Sequence, residues 1–590
     1  MRIFLAFSNF LEMHGLLANY RVGMLTMKAI EFEVRRFQHR LAERAAKQEE
    51  RDETVARIRA DRGKSSTDKE AALERIERSR MREAKKVAKI STKQGKVLFV
   101  EFYILFNLAE DVAVERKMTK KDLLAQLGSM LDHTYGDLLI LCVTFLKKLS
   151  IYEENKDAIA ASGVVRCLGR FVPCSSQPLV QATLQLLFNL SFDHALRRQI
   201  IDANMIARLV ELLKQAPYRA RVLKLLYNLS QDDACKVALS QTDGMALLMG
   251  LAVNFPQPHL TLELSALLIN ASHCSRNIEH MLANRGLNHL MDRLDTNPTD
   301  QGLLKILRNI AYWTFRQQQL LEFPESQYSY RGLWSPHFKQ LLELLTDTDN
   351  HDLLIEVIGI LANMTAQDVP ANTSWARILK EYQLIPLFSK LFVPGMAQAD
   401  LLLELVMLVY SITADPAACD LVASSNLIGL LYQLWKEKGD DDEILLQLIA
   451  VFHRLFQRES TREEAMYSTR IVVDMLECLA HPNLAVRAAA DVATELVLEL
   501  DRQEDGELGQ LGQQIRKKRF EGYNQQWIAS GSTNGGRDAK FDVMSHYKGG
   551  DKTNWRAMLN PKERLQLDMD DLEGSDDEGE SWEESGGDWN

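Results

Sequence analysis

The chain has 590 residues, of which 46% are hydrophobic and 26% charged, and its formal net charge is −11 at pH 7. This composition is ordinary for a large helical protein with a polar tail, and it excludes a membrane protein. The seven cysteines are scattered without a C-x-x-C pair, and their odd number argues against a disulfide framework and favours a reducing compartment.

The first segment, residues 1–30, is rich in apolar and aromatic residues but carries Asn9, Glu12 and His14 within them. A secretory signal would need an uninterrupted apolar run and a small-residue cleavage site, and neither is present. We predict a buried helix pair, forming a partial N-terminal armadillo repeat.

Residues 31–96 form a charged segment, with 20 Lys/Arg against 11 Asp/Glu between Arg35 and Lys96. A continuous helix from Glu31 to Ile90 would extend about 90 Å at 1.5 Å per residue, so a hairpin that folds back at the Gly63–Ser66 break is expected. Three uses remain open for this insertion: a solvated spacer, a helical docking surface, or binding of nucleic acid or another polyanion. The interspersed acidic residues and the lack of aromatic ones argue against the third.

A short phrase recurs through residues 97–500, as Leu-Phe-Asn-Leu-Ser ending at Ser191 and Leu-Tyr-Asn-Leu-Ser ending at Ser230. The steps between successive copies are 41, 41, 39, 42, 39, 54, 48, 43 and 41 residues, close to the roughly 40–47-residue period of armadillo and HEAT arrays. We call the asparagine position of this phrase the slot. Its occupants are Asn107, Lys148, Asn189, Asn228, Asn270, Asn309, Asn363, Ser411, Arg454 and Glu495.

Each phrase lies at the end of an apolar segment with helical spacing, which we predict to be the third helix of a repeat. A second pattern recurs about 25 residues upstream, where a small or turn residue ends one helix and an apolar helix begins. These residues are Gly163, Asn204, Gly244, Gly286 and Asn426. Three helices per repeat favour armadillo over two-helix HEAT, although His481-Pro482-Asn483 resembles a HEAT corner in the last unit. The prediction is an all-α, armadillo/HEAT-like superhelical solenoid of about ten repeats with a long charged helical insertion and a disordered acidic C-terminal tail.

The slot asparagines have two interpretations. In the first, the amide hydrogen-bonds the backbone of the next repeat and holds the array together. In the second, the asparagines form a ladder on the concave face that clamps the backbone of an extended partner, because an amide both donates and accepts. The candidate protein-binding residues are Asn189, Lys224, Asn228, Asn270, Lys305, Asn309 and Asn363.

Nuclear-import adaptors carry a tryptophan four residues before each ladder asparagine. Here those positions hold Gln185, Lys224, Ala266, Lys305 and Gly359, which disfavours an import adaptor.

No pattern of catalytic or metal-binding residues is found along the chain. Gly63-Lys64-Ser65 resembles the end of a phosphate-binding loop, but Ile58 stands where that loop needs a glycine and no strand precedes it. His273 and His453 are more typical of packed helix residues than of bases or metal ligands. We therefore expect no enzyme activity, cofactor or metal, and no nucleic-acid partner.

After the array we predict a helix over residues 501–530 and a disordered tail over 531–590. The stretch from Asp568 to Asn590 holds 11 acidic residues and no basic one. It is either a plain solubilising tail or a regulated cargo contact. For the second use, Ser575 and Ser581 are candidate sites for an acidophilic kinase, and Trp582 and Trp589 are candidate apolar anchors.

Several stretches resemble one family, the kinesin-associated accessory subunits of heterotrimeric kinesin-II. They are Phe106-Asn-Leu-Ala-Glu-Asp111, Phe145-Leu-Lys-Lys-Leu-Ser-Ile151, Leu187-Phe-Asn-Leu-Ser-Phe-Asp193, Lys380-Glu-Tyr-Gln-Leu-Ile-Pro386 and Asp400-Leu-Leu-Leu-Glu-Leu405, with Arg519, Phe520 and Trp527 in the post-array helix. The similarity covers about residues 1–530. His14-Gly15-Leu16 resembles a segment well inside the family, so we expect a start within the array, with Phe4, Leu5, Phe7, Phe10 and Leu11 as an exposed apolar face.

The resemblance implies a non-motor adaptor that binds the C-terminal parts of two kinesin-II motor chains and links them to cargo such as intraflagellar transport particles. It implies a location in the cytoplasm and at the cilium and its base, on microtubules through the motor, without membrane insertion. The alternative is a generic armadillo scaffold in nuclear import, adhesion or degradation.

Overall fold

The computed structural model describes residues 1–60, 65–320, 330–503 and 509–532. Within these ranges the chain is helical and contains no strand. It divides into two compact units, Met1–His289 and Leu290–Asn590, which we describe separately.

The first unit begins with four helices, of which two form a long hairpin. They are α1 (Arg2–Ser8), α2 (Leu11–Asn19), α3 (Val22–Ala60) and α4 (Ser66–Leu108). Helices α3 and α4 run antiparallel, because Lys47 Nζ lies 3.4 Å from Glu83 Oε1 and Gln94 Nε2 donates to the Glu33 carbonyl over 2.9 Å. The predicted fold-back is therefore present. Helix α4 crosses residue 96 without a break and ends at the first slot, Asn107.

The apolar N-terminal residues are exposed, which corrects the expected buried helix pair. Phe10 and Leu11 are 58% and 64% exposed, Phe4 and Phe7 are also exposed, and Leu5 is half-buried. In α1 and α2 only Ser8 and Leu17 are buried. The expectation of an exposed apolar face is confirmed for Phe4, Phe7, Phe10 and Leu11 but not for Leu5.

The rest of the first unit is built from helix triplets. The helices are α5 (Val112–Thr119), α6 (Leu123–Met130), α7 (Gly136–Leu149), α8 (Glu153–Ala161), α9 (Val164–Leu168), α10 (Gln177–Leu190), α11 (His194–Asp202), α12 (Met205–Leu213), α13 (Ala216–Leu229), α14 (Asp233–Ser240), α15 (Gly244–Val253), α16 (Leu262–Ala271) and α17 (Ser275–Leu282). Helix α18 (Gly286–Thr296) contains the boundary between the units.

Local sequence explains how these helices start and turn. Asp193 caps α11 by accepting a 2.9 Å hydrogen bond from the Leu196 N–H, which satisfies a backbone donor that the helix leaves open. Gly163 and Asn204 take the left-handed conformation just before α9 and α12, with φ of 70° and 54°, where Gly and Asn are the residues that adopt it at least cost. The predicted turn between the first two helices is confirmed at both sites.

The second unit continues the pattern, except that only two α-helices, α20 and α21, are described between α19 and α22. Its helices are α19 (Gln301–Leu320), α20 (Phe338–Asp347), α21 (His351–Ala362), α22 (Trp375–Glu381), α23 (Leu384–Leu391), α24 (Ala399–Ile412), α25 (Pro416–Ala423), α26 (Leu427–Lys438), α27 (Asp442–Phe456), α28 (Glu459–Tyr467), α29 (Ile471–Cys478), α30 (Leu484–Gln503) and α31 (Gly509–Ser532). The last triplet, α28 to α30, has three helices and not the two of a HEAT unit. Helix α31 overlaps the post-array helix predicted over residues 501–530 and extends two residues past its predicted end.

Among the described residues, no single helix has both the length and the apolarity to cross a bilayer. Helices α25 and α26 meet those criteria only as a pair, and they are bent by 77°.

Candidate protein-binding surface on the third helices

Most slot residues lie at or near the C-terminal ends of helices that pack side by side, whereas Asn309 and Glu495 lie in the middle of α19 and α30. In the first unit, α4 packs against α7, α7 against α10, α10 against α13, and α13 against α16. In the second unit, α19, α21, α24, α27 and α30 follow one another in the same way. We call the exposed sides of these helices the third-helix strip. It places successive slots next to one another within each unit.

In the first unit the slot asparagine bonds to the serine that ends the preceding phrase. The bonds run from Nδ2 of Asn189 to Oγ of Ser150 over 3.1 Å, from Asn228 to Ser191 over 3.0 Å, and from Asn270 to Ser230 over 2.9 Å. Asn107 makes the same kind of bond to Ser8 over 3.0 Å. The repeated phrase is therefore a hydrogen-bonded link between neighbouring repeats, which we call the Asn–Ser staple.

Each staple serine is satisfied on both sides. Ser191 Oγ donates to the Phe188 carbonyl over 2.7 Å while it accepts from Asn228, and Ser230 does the same between Tyr227 and Asn270. Both serines are buried, where a polar group without a partner would cost about 1–3 kcal/mol. The first interpretation is thus correct that the amide links neighbouring repeats, but it is wrong in direction and in the group contacted. The partner is a serine hydroxyl of the preceding repeat, and only Asn189 also bonds to its backbone.

The staple limits which hydrogen-bonding groups of the slot asparagines remain for a partner. Asn189 uses its amide to donate to Ser150 and to the Lys147 carbonyl, so its remaining capacity is the Oδ1 acceptor. Asn228 is buried, and Asn270 and Asn309 are half-buried. The partner contact available from Asn189 is acceptance of a hydrogen bond at Oδ1, whereas Asn270, which donates one amide hydrogen to Ser230, also offers a second donor.

In the second unit the slots at Ser411 and Arg454 link neighbouring repeats through other chemistry, whereas the slot at Asn363 does not. Buried Asn363 donates to the Gly359 carbonyl of its own helix over 2.8 Å. Ser411 Oγ donates to the Ala362 carbonyl of the preceding repeat over 2.9 Å. Arg454 donates to Tyr410 Oη over 3.0 Å, and its guanidinium carbon lies 4.1 Å from that ring's centroid. A cation over an aromatic face adds attraction of about 0.5–2 kcal/mol.

Lys224 and Lys305, four residues before the slots at Asn228 and Asn309, are both exposed. The Lys224 side chain is 54% exposed and its Nζ lies 3.4 Å from Glu263 Oε1 on α16. An exposed pair of this kind contributes little stability, at most about 1 kcal/mol, and exchanges readily for another carboxylate. Both ammonium groups are available to an acidic partner.

Aromatic side chains flank the slots of the first unit. Lys148 Nζ lies 5.2 Å from the centroid of the Phe106 ring, and the rings of Phe188 and Phe192 meet edge to face at 5.1 Å. Phe192 is largely exposed although it follows the phrase directly. The strip here combines cations with apolar area, as protein-binding surfaces do.

A charged cluster that the sequence does not reveal joins three third helices of the second unit. Arg308 on α19 pairs with Glu356 on α21 over 3.4 Å and with Glu404 on α24. Its side chain passes over Gly359, where an added Cβ would lie 2.7 Å from Arg308 Nε. Burial raises the pKa of the Glu356 carboxyl, and the nearby Arg308 charge opposes that rise. Gly359 therefore leaves the space through which Arg308 reaches two helices.

The histidines considered as bases are packed residues. Burial lowers the pKa of His273, and burial together with the neighbouring Arg454 charge lowers the pKa of His453 to about 4. Over the described ranges, no group of three or more His, Cys, Asp or Glu side chains is placed to hold a metal ion. Ser575, Ser581, Trp582 and Trp589 lie outside the described residues.

A family model described as kinesin-associated protein (KAP) matches residues 1–550. The chain belongs to the kinesin-associated protein family. Membership implies association with kinesin motor subunits, and together with the helical repeat fold it indicates a non-catalytic adaptor. It also indicates a cytoplasmic, microtubule-linked location for this KAP-family chain.

Two solved structures show similarity to this KAP-family chain at low identity. An engineered protein solved by the Northeast Structural Genomics Consortium is 17% identical, with a TM-score of 0.52, covering 68% of this chain and 95% of that one. A chain from a study of a phosphorylation switch between cadherin and β-catenin is 15% identical, with a TM-score of 0.37, covering 68% of this chain and 91% of that one. At 17% identity, the similarity to the engineered protein concerns the fold alone. We draw no conclusion from the second structure, because its TM-score is only 0.37.

Proposed function

We propose that this chain is the non-catalytic adaptor subunit of a heterotrimeric kinesin-II complex. In this role it binds the C-terminal parts of two motor chains and connects them to cargo such as intraflagellar transport particles, for anterograde transport along microtubules. It then acts in the cytoplasm and at the cilium and its base. The observation that carries the proposal is the family match over residues 1–550.

The third-helix strip is the surface we assign to a motor-chain segment. Lys224 in the first unit and Lys305 in the second are exposed cations beside the slots. An acidic segment that displaces Glu263 from Lys224 exchanges one exposed ion pair for another at little cost. The Oδ1 atoms of Asn189 and Asn270 then accept hydrogen bonds from the backbone of the segment.

Charge reversal tests this assignment. A double variant with Lys224→Glu and Lys305→Glu should lose motor binding, because like charges across an interface cost several kcal/mol. The matched control is Lys117→Glu with Lys380→Glu, which changes two exposed lysines on the first helices α5 and α22. Pull-down of both motor chains should fail for the first variant and persist for the second. Equal recovery with both variants would exclude the strip.

Purification from ciliated cells tests the wider proposal. The tagged chain should recover two different kinesin chains in equal amounts, together with transport-particle proteins. Recovery of an adhesion or degradation complex without motors would contradict it.

The acidic tail is a second contact in this proposal. Ser575 and Ser581 have acidic residues three positions later, which suits an acidophilic kinase, and Trp582 and Trp589 supply apolar anchors for cargo. Phosphorylation adds about −1.5 to −2 charges per site and changes such a contact directly. A chain with both tryptophans replaced by alanine that still recruits every transport partner would refute this role.

A further inference from the structure

Helix α4 carries a row of positive charge along one side. Between residues 75 and 96 it has nine Lys/Arg and two Asp/Glu. At about 100° per residue, eight of the nine cations fall within about 100° of arc. We call this group the cationic face. Its members, all exposed, are Arg75, Arg78, Arg82, Lys85, Lys86, Lys89, Lys93 and Lys96.

The cationic face points away from α3, the other helix of the hairpin. Two side chains mark the side of α4 that lies against α3. Glu83 pairs with Lys47 and Arg51, and Gln94 donates to Glu33. These contacts lie about 120° around the helix from the centre of the cationic face. Helix α3 therefore leaves the face uncovered.

The carboxylates of α4 do little to neutralise the face. Glu77 pairs over 3.2 Å with Arg80, which lies on the opposite side of the helix. Arg78 pairs with Glu74 over 2.5 Å, and it is the one member of the face with an ion pair among the described residues. Like charges three or four residues apart on a helix repel one another. An anionic surface laid against the face relieves that repulsion.

The outer part of α4 is not bonded to the rest of the first unit. Between residues 75 and 90, the hydrogen bonds and ion pairs of the described residues join α4 only to itself and to α3. The hairpin connects to the array near its base, where Gln38 Nε2 lies 3.3 Å from Ser129 Oγ and Ser91 Oγ lies 3.0 Å from Thr134 Oγ1. Beyond that base the face can lie on an extended surface.

The shape of the face favours a lipid bilayer over a peptide as its partner. The cations lie on the convex side of one helix, over about 32 Å at 1.5 Å per residue. Peptide ligands are held in grooves or along sheet edges, and the convex side of a helix is neither. Anionic headgroups attract basic residues through the surface potential of the membrane, and each Lys or Arg near that surface strengthens binding about fivefold.

The edge of the face is aliphatic. Ile90 and Val97 are 49% and 46% exposed and lie between the cations and the side of α4 that packs on α3. Residues 38–98 contain no Phe, Tyr or Trp, the side chains on which the bases of single-stranded nucleic acid stack. Aliphatic side chains beside long Lys and Arg stems instead suit the boundary between headgroups and acyl chains, where the stems keep their charges in water.

We propose that the cationic face of α4 binds the surface of a bilayer that contains anionic phospholipids. The charged ends of its lysines and arginines lie among the headgroups, and Ile90 and Val97 contact the outer ends of the acyl chains. The contact is peripheral and salt-sensitive, because exposed charges are screened beyond about 10 Å at 0.1 M salt. It goes beyond the adaptor role, since it needs no motor chain.

Co-sedimentation of the full chain with vesicles tests the contact. Vesicles that mix phosphatidylcholine with phosphatidylserine should bind the chain at least about tenfold more tightly than vesicles of phosphatidylcholine alone. High salt should remove the difference. Equal binding to the two kinds of vesicle at low salt would overturn the proposal.

A matched pair of variants locates the binding surface. The face variant changes four lysines of the cationic face to Gln, and the control changes four exposed lysines elsewhere. The face variant is Lys85→Gln with Lys86→Gln, Lys89→Gln and Lys93→Gln, and the control is Lys117→Gln with Lys121→Gln, Lys380→Gln and Lys390→Gln. Only the face variant should lose affinity for the mixed vesicles, by at least about tenfold. Equal losses would show that net charge and not the face drives binding, with circular dichroism confirming that both variants are folded.

Single substitutions within α4 test which side of the helix meets the bilayer. Arg82 belongs to the cationic face, whereas Arg80 lies about 160° around the helix from it. Arg82→Gln should weaken binding to the mixed vesicles about fivefold, and Arg80→Gln should leave it nearly unchanged. Equal effects of the two substitutions would contradict the proposed orientation.

Competition separates the bilayer from other anionic partners. Inorganic phosphate, polyglutamate and double-stranded RNA, each added at constant ionic strength and equal charge concentration, should leave the chain on the mixed vesicles. Release by phosphate would overturn the proposal in favour of a soluble phosphate ligand. Release by polyglutamate or RNA would overturn it in favour of an acidic protein or a nucleic acid.

Discussion

Asn228 donates a 3.0 Å hydrogen bond to the hydroxyl of Ser191, 37 residues earlier in the chain. Both residues belong to the repeated phrase. Asn228 is the asparagine of one copy, and Ser191 is the serine of the copy before it. In the first unit, the repeated Asn-x-Ser spacing therefore supplies the hydrogen bonds that join one repeat to the next.

Removing this staple should destabilise the first unit. Asn228→Ala takes away the donor and leaves the buried Ser191 hydroxyl with one partner fewer, at a cost of about 1–2 kcal/mol. A double-mutant cycle with Ser191→Ala, measured by urea unfolding, should give a coupling energy of about 0.5–1 kcal/mol.

Asn19→Ala is the control for that cycle, because Asn19 is exposed at the end of α2 and should change stability by less than about 0.5 kcal/mol. Zero coupling between Asn228 and Ser191 would show that the staple is not a stabilising contact.

Gly359→Ala should destabilise the second unit. The new methyl group would lie 2.7 Å from Arg308 Nε and 3.0 Å from Glu404 Oε2, so the three-helix charge cluster must shift, at about 1–3 kcal/mol. Thermal unfolding of the variant should show a lower midpoint.

Gly250→Ala is the matched change, since Gly250 also lies within a helix but has no atom within 4 Å of an added Cβ. That variant should be stabilised by about 0.5–1 kcal/mol, the ordinary gain of alanine over glycine in a helix. Equal effects of the two substitutions would argue against the close passage of Arg308.

His453 should make the second unit sensitive to acid. Its folded pKa is about 4 because it is buried beside Arg454, against 6.5 for an ordinary histidine. Between these values the unfolded chain binds more protons than the folded chain, so stability falls as pH falls from 6.5 to 4. At pH 4.5 the loss amounts to about 2–3 kcal/mol.

Replacing His453 by Gln should remove that part of the pH dependence, as measured by urea unfolding at pH 7 and pH 4.5. His39→Gln, at an exposed position of α3, serves as the control. If both variants and the native chain lose stability equally on acidification, burial of His453 is not the cause.

The fold could be predicted because most repeats carry two sequence signals. One is the repeated phrase that contains the slot, and the other is the turn residue between the first and second helices. Gly163 and Asn204 mark that turn by residue type, since both tolerate positive φ. Gln383 occupies the equivalent position before α23 with φ of 50°, and nothing in a glutamine signals it. The spacing of the slots predicts this repeat, whereas its turn residue does not.

The partners of the slot residues were harder to predict. Periodicity shows that Asn228 recurs but not whether its amide turns to the repeat before or after it, because both are one period away. The cluster of Arg308, Glu356 and Glu404 depends on contacts 48 and 96 residues apart, which no local pattern records. The one available signal was Gly359, a glycine inside an apolar helix where close packing is expected.

The lysines and arginines of α4 illustrate a different limit of prediction from sequence. A count of charges over residues 35–96 mixes both signs and favours a solvated spacer. Only the pairing of α3 with α4 shows that Glu83 lies against α3, where it pairs with Lys47 and Arg51, while Lys85, Lys86 and Lys89 are exposed. Helical phase could be computed from the sequence, but which side the partner helix covers could not.

Native mass spectrometry of the chain reconstituted with two kinesin-II motor chains tests the central claim most directly. The account predicts one species that contains a single copy of each of the three chains. It also predicts that this species is lost with Lys224→Glu and Lys305→Glu and retained with Lys117→Glu and Lys380→Glu. A chain that remains free in the presence of both motors, or binds only one of them, would contradict the account.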